Sequence, residues 1–179
     1  MSFTVYKGRP EDMAGRPDKE KRVYDLLDEL GVEYIRVDHE PLETMEACRD
    51  AGEALEADIC KNLFLCNSQK TKFYLLIMPG DKKFKTKDLS KQIGSARLSF
   101  GPQEDMERLL NISSGSVSVM GLMNDKDNHV RLLIDKEVVN KTYFACHPCI
   151  NTSSIRFKTV DLLGKVLPAI GHEPTFVTL

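Results

Sequence analysis

The residues best suited to chemistry lie near the end of the chain, in Cys146-His147-Pro148-Cys149. Two thiols flank an imidazole at the spacing of a thioredoxin-type redox pair, or of half a zinc site. The second half is missing: His39, His129 and His172 are scattered, and no other Cys or His pair stands at ligand spacing. The early strand-helix setting of a redox fold is also missing. The five cysteines are odd in number and irregular in spacing, which suits small buried residues better than a disulfide framework. A thiol redox protein using Cys146 and Cys149 remains a competing reading. The segment's other chemical asset is His147, whose unperturbed imidazole titrates near pH ~6.5.

Three further segments offer polar chemistry. Lys61-Asn62 opens an apolar, strand-like run. Its lysine is either a solvated cation at a strand edge or one presented at a pocket mouth, where it would hold a phosphate or an ester carbonyl. Ser113-Ser114-Gly115-Ser116 is a small-residue turn. It reads as a plain loop or as a backbone that comes close to a ligand, because glycine has no Cβ. Asp81 to Lys87 carries four lysines around Phe84, either a solvated surface or a grip on an RNA backbone.

Elements that would position these groups follow from the pattern. The first 16 residues, with Gly8, Pro10 and Gly15, form a flexible, extended lead-in to a domain over 17–179. Val23, Leu26, Leu27 and Leu30 repeat at helical spacing, with Gly31 to close the helix. A strand is expected over 32–37, and a short helix capped by Thr44 and ending near Gly52. Strands are expected over 61–67 and 72–78, the second apolar throughout and so covered on both faces. Helices follow from Thr86 and Pro102. Residues 117–123 and 130–134 read as a hairpin around Asn124–Asn128. A strand over 154–157, a helix from Thr159 that Pro168 should kink or shorten, and a strand over 175–179 complete the chain. Interleaved helices and strands with several tight turns predict an α+β domain with a mixed sheet surrounded by helices.

Composition narrows the function. The 179 residues carry a formal net charge of −2, unlike the strongly positive charge of a histone-like nucleic-acid binder. Contact with RNA must therefore be local. No apolar run reaches the ~18 to 20 residues of a membrane span, and the N-terminus has no signal-peptide pattern, so a cytoplasmic location and no membrane partner are expected. Neither a Walker loop nor a dinucleotide fingerprint occurs, nor a Gly-x-Ser-x-Gly elbow.

Lys61 to Leu65, Leu75 to Met78, Gly115 to Asp125 and His147 to Thr152 occur together in an order that resembles the YbaK/aminoacyl-tRNA synthetase-associated domain family. Within it the chain is most similar to freestanding prolyl-tRNA editing proteins of the ProX/PrdX type, over about residues 18 to 175. The resemblance implies a strongly curved, partly barrel-like mixed sheet. It also implies a deacylase that needs no metal or other cofactor and cleaves the ester between an amino acid and the 3′-terminal adenosine of tRNA. Its catalytic positions fall on Lys61, His147 and Gly115, and its substrate-binding positions on Asn62, Ser116, Asn151 and Thr152. The family's Gly-x-x-x-Pro turn matches Gly115 to Val119, with valine in place of proline.

An aminoacyl ester is already activated, so hydrolysis needs a placed water, oxyanion stabilisation and side-chain selection. Lys61 is expected to hold the terminal phosphate or the ester oxygen across a tight cavity from the Gly115 turn. Backbone around Gly115 would hold the amino end or the water, and His147 would orient the substrate or move a proton. The free 2′-hydroxyl of the tRNA would assist the water. A small pocket would admit alanine and exclude the proline ring by clash, which makes alanyl-tRNA(Pro) the expected substrate. The partner is the aminoacylated 3′ end of tRNA(Pro), with prolyl-tRNA synthetase as a candidate second partner. The alternative is a non-catalytic sensor of aminoacyl-tRNA or of a free amino acid on the same fold.

Overall fold

The computed structural model describes residues 3–179 of the chain, with Met1 and Ser2 of the expected lead-in outside the described residues. In chain order come β1 (Val5–Lys7), α1 (Asp18–Glu29), β2 (Tyr34–Asp38), α2 (Met45–Leu55), β3 (Cys60–Asn67) and β4 (Phe73–Pro79). Then follow α3 (Thr86–Ile93), β5 (Leu98–Phe100), α4 (Gln103–Leu110), a 3-10 helix (Val119–Asn124), β6 (Val130–Asp135), α5 (Lys136–Val139), β7 (Tyr143–Cys146) and β8 (Ser153–Lys158). The chain closes with α6 (Thr159–Asp161), a π-helical turn (Leu162–Val166), α7 (Leu167–Ala169) and β9 (Thr175–Val177).

The strands form two sheets, one ordered β1-β2-β8-β7 and antiparallel, the other β5-β3-β4-β6-β9 and mixed. The α+β class with a mixed sheet is as the pattern predicts. The partly barrel-like sheet is not: both sheets stay open. Among the described residues a single parallel bridge, Ile59 to Ala145, joins them. β5 already pairs with the far half of β3, at Leu65–Asn67, so β7 meets only the residue that leads into β3. The beginning of the expected lead-in adds a strand, β1, along β2.

β4 lies between β3 and β6, and its alternation feeds two cores. Phe73, Leu75 and Ile77 enter the main core with α1, α4 and the C-terminal helix. Tyr74, Leu76 and Met78 enter a second core under α3. A continuous apolar run is what a strand covered on both faces requires. In β3, Phe64 and Cys66 face the main core, whereas Leu63 and Leu65 face the α3 side.

Local signals act as expected at several ends. Thr44 Oγ1 accepts a hydrogen bond from the Ala47 amide at 3.0 Å and caps α2. That helix passes Gly52 and ends at Leu55, because the chain turns only at Glu56, in the left-handed region. The Asn67 side chain closes the β3–β4 turn by accepting from the amides of Thr71 and Lys72.

The expected hairpin over 117–134 does not form. Ser118 caps a 3-10 helix by accepting from the Met120 amide, and Val119, Met120 and Leu122 are fully buried. β6 instead pairs in parallel with β4. An unbroken apolar run suits a buried helix as well as a strand, and here packing decides. Pro168 does not stop the last helix. Without an N–H, it cannot close the usual bond to the residue four back, and the helix widens just before it. There the Leu167 amide donates to Leu162, five residues back.

Leu76 is fully buried on the α3 side of β4. Leu76→Ala is expected to destabilise the fold by about 2–5 kcal/mol, read as a lower urea midpoint with little change in slope.

Candidate active site

The antiparallel register of β2 with β8 sets Asp38 opposite Ser153 and Val37 opposite Ser154. Just past the strand end, the His39 amide donates to the Thr152 carbonyl at 2.9 Å. The loop from Cys146 to Ser153 is thereby tied to the end of β2. Two imidazoles come together there, His39 and His147, with ring centroids 6.0 Å apart.

Their partners fix both tautomers. His147 Nδ1 lies 2.8 Å from the Ser153 carbonyl, which can only accept, so Nδ1 carries the proton. His39 Nδ1 likewise donates to the Glu40 carbonyl at 2.7 Å. His39 Nε2 is therefore an acceptor, and Ser154 Oγ donates to it at 2.8 Å. The neutral His147 ring keeps its Nε2 lone pair for a water or a substrate hydroxyl. Burial lowers the pKa of both rings, and the neighbouring His39 lowers that of His147 further. Both rings are therefore neutral at neutral pH, and of the two only His147 leaves its Nε2 without a hydrogen-bond partner among the described residues.

A polar network stands behind this pair. Asp38 accepts from Arg16 at 3.0 Å, from Arg36 and from Ser153 Oγ. Burial pushes the Asp38 carboxyl up, but these three donors outweigh it and hold the pKa at about 2. Arg16 also donates to buried Glu20 at 2.6 Å, which accepts from Tyr24 as well. The carbonyl that orients His147 thus belongs to a residue anchored by Asp38 and, through Arg16, by α1.

Gly115 adopts φ +91°, a region that L-residues rarely enter. A Cβ placed there would lie 3.9 Å from Asn151 Nδ2, so the turn and the His147 loop face each other across a narrow space. Ser116 is buried and donates to the Ser113 carbonyl, which tightens the turn. Gln103 Oε1, at the start of α4, accepts from the Ser114 amide at 3.1 Å and fixes the turn from its other side. Asn151 is half-buried and Thr152 is exposed.

The structure therefore gathers His147, Gly115, Ser116, Asn151 and Thr152, but not Lys61. Strand alternation sends Lys61 toward the α3 side with Leu63 and Leu65. Its ammonium donates to the Lys82 carbonyl, and among the described residues it has no hydrogen bond to the Gly115 turn. Asn62 points to the opposite side, toward the main core. Its Nδ2 donates to the Cys60 carbonyl, and its buried Oδ1 has no partner. A cleft of about 960 Å³ between α2, Pro79–Asp81 and α5 includes neither Lys61 nor Gly115 in its lining.

Cys146 and Cys149 are buried free thiols whose pKa values burial pushes up, that of Cys149 to about 12. Such thiols hold little of the thiolate that redox exchange or metal binding uses. No group of three or more His, Cys, Asp or Glu among the described residues is arranged to hold a metal ion. No helix among them is long and apolar enough to cross a membrane.

The site has members that spacing alone does not reveal. Arg16, the pair Asp38-His39 and the pair Ser153-Ser154 lie far apart in sequence; the β2–β8 register brings the two pairs together, and the Arg16 side chain reaches Asp38 from the segment before α1. The one readable signal is Asp38-His39 at the end of an expected strand.

With both imidazoles neutral in the fold and pKa values below the ordinary 6.5, the unfolded chain binds more protons just below that pH. Stability should hold level above pH ~6.5 and fall as pH drops below it. Thermal melts from pH 8 to 5 should show this fall, and it should be shallower in a His39→Asn/His147→Asn variant.

The profile described as "Aminoacyl-tRNA editing domain" matches residues 39–164. The chain is 32% identical over 155 residues to the "Prolyl-tRNA editing protein ProX" of Acetoanaerobium sticklandii, covering 87% of this chain and 94% of that protein. It is 30% identical over 159 residues to "Prolyl-tRNA synthetase associated domain-containing protein 1" of Mus musculus, covering 84% and 92%. A crystal structure described as a candidate trans-editing enzyme for prolyl tRNA synthetase superposes with a TM-score of 0.64 at 14% identity, covering 91% of this chain and 98% of that one. The chain belongs to the aminoacyl-tRNA editing domain family.

Proposed function

We propose that this chain is a trans-editing deacylase that hydrolyses the ester of mischarged tRNA(Pro), with alanyl-tRNA(Pro) as its substrate. The observation that carries the reading is the convergence of a neutral, orientation-fixed His147 with the Gly115 turn and Asn151, in a chain that is similar along most of its length to a prolyl-tRNA editing protein. The partner is the aminoacylated 3′ end of the tRNA, met in the cytoplasm, with prolyl-tRNA synthetase as a second partner that delivers it. The editing unit is residues 17–179.

The residues suggest a division of labour. His147 Nε2 accepts a proton from the attacking water or from the tRNA 2′-hydroxyl beside it, while Ser153 holds the ring. Amides of the Gly115 turn face the carbonyl oxygen as it gains charge, since a backbone without a Cβ can approach the ester closely. The partnerless Oδ1 of Asn62 suits a donor such as the substrate ammonium. Lys61 has a carbonyl acceptor but no carboxylate partner among the described residues, and its charge suits a phosphate of the terminal nucleotide. Selection is steric: alanine enters, and the proline ring clashes.

A deacylation panel over alanyl-, cysteinyl-, seryl- and prolyl-tRNA(Pro) tests this. Alanine should be released and proline spared. His147→Ala should lower kcat by about 10²- to 10⁴-fold. Lys61→Ala should lower kcat/KM by about 10- to 100-fold, in line with one charge-assisted contact. Both variants should melt as the parent does. Full activity in the two variants, or no hydrolysis of any ester by the parent, would defeat the proposal, the latter in favour of a sensor.

A further inference from the structure

The α3 side of the five-stranded sheet carries cations that the fold does not use. Lys83, Lys85, Lys87, Lys91 and Arg97 are exposed, and among the described residues none forms an ion pair. The placement of Lys85 and Lys87 is locally unfavourable. Lys85 is at the N-cap of α3 and Lys87 in its first turn, where the helix dipole disfavours positive charge. Lys87 and Lys91 stand one turn apart on the same helix face, where like charges repel. Lys91 in the last turn suits the helix dipole and Asp88 offsets part of the first turn, but helix stability gives no reason for Lys85 and Lys87, and in a chain of net charge −2 the group is a local exception.

An aromatic platform lies beside these cations. Phe100 is 66% exposed at the end of edge strand β5. Register places it opposite Leu65, which faces the α3 side, so Phe100 lies on the same side as the lysines. Phe84, between Lys83 and Lys85, packs edge-on to it with ring centroids 6.2 Å apart. An exposed ring braced by a second ring that lysines flank in the chain has the make-up of a surface for unpaired nucleic acid: the base stacks, and the phosphates meet the charges.

The platform also leads to the catalytic cluster. Three residues after Phe100, Gln103 accepts from the Ser114 amide, next to Gly115. A strand of RNA resting on Phe100 thus has a short path around the β5 edge to the turn that faces Asn151.

We propose that Phe100 and the lysines around Phe84 form the docking surface for the unpaired acceptor end of tRNA, Phe100 stacking a base and the lysines pairing with phosphates. The inference rests on the deacylase reading for its choice of RNA, but its test uses uncharged RNA and separates the two.

Dissociation constants are measured over a salt series for a tRNA(Pro) transcript with and without its unpaired 3′ nucleotides. The parent should prefer the longer transcript. Phe100→Ala should raise Kd for that transcript by about 5- to 150-fold and abolish the preference, and Phe100→Trp should keep it. The Lys83→Gln, Lys85→Gln, Lys87→Gln variant should flatten the slope of log K against log salt by about 2 to 3. Matching thermal melts would establish that these exposed changes leave the fold intact. A preference that survives Phe100→Ala, a slope unchanged in the triple variant, or no binding by the parent would overturn the docking surface. Absent hydrolysis alongside these binding changes would instead count against the deacylase reading alone.

Discussion

The pairing of β2 with β8 is the constraint on which the candidate site depends. It brings Asp38 against Ser153 and places a carboxylate between two guanidinium groups in a half-buried setting. Charge taken partly out of water is costly unless it is fully paired, and here every donor is in place. Because the Ser153 side chain is spent on Asp38, its carbonyl is held still, and that carbonyl decides which nitrogen of His147 bears the proton. Arg16 extends the same bracing to α1 through Glu20. Helix α1 and the His147 imidazole thus share a single polar frame.

Sequence patterns report such a frame only in part, and particular residues show why. The apolar run of β4 announces a strand covered on both faces, and Thr44 announces a helix start, because each signal is local and has one cheap solution. Residues 117–123 announce only burial; whether they coil or extend depends on what Ser118 and Gly121 pack against. His39 is invisible as a site residue, since its partner Ser154 is 115 positions away and only register unites them. Lys61 and Asn62 teach a different lesson. Neighbours in a strand face opposite sides, so the pair does not line one wall together, and the strand pattern alone implies it. The family resemblance carried the choice of residues; the period of two carries their direction.

The five-stranded sheet therefore has two distinct sides. The inner one joins the main core and leads, through α4 and its following turn, to the imidazole pair. The outer one, under α3, collects Lys61, Phe84 and Phe100 beside a group of unpaired cations. β5 separates the two and is only three residues long, so the border is a thin edge, not a wall. Leaving both sheets open, in place of a closed barrel, is what makes that edge accessible.

The raised thiol pKa values have a consequence for kinetics. Cys146 and Cys149 sit in the main core with almost no thiolate at neutral pH. An alkylating reagent needs the thiolate, and it reaches these sulfurs only when the surrounding packing parts. Their modification rate is therefore set by breathing of the protein interior. The chain carries its own clock for local opening, placed directly behind the loop that holds His147.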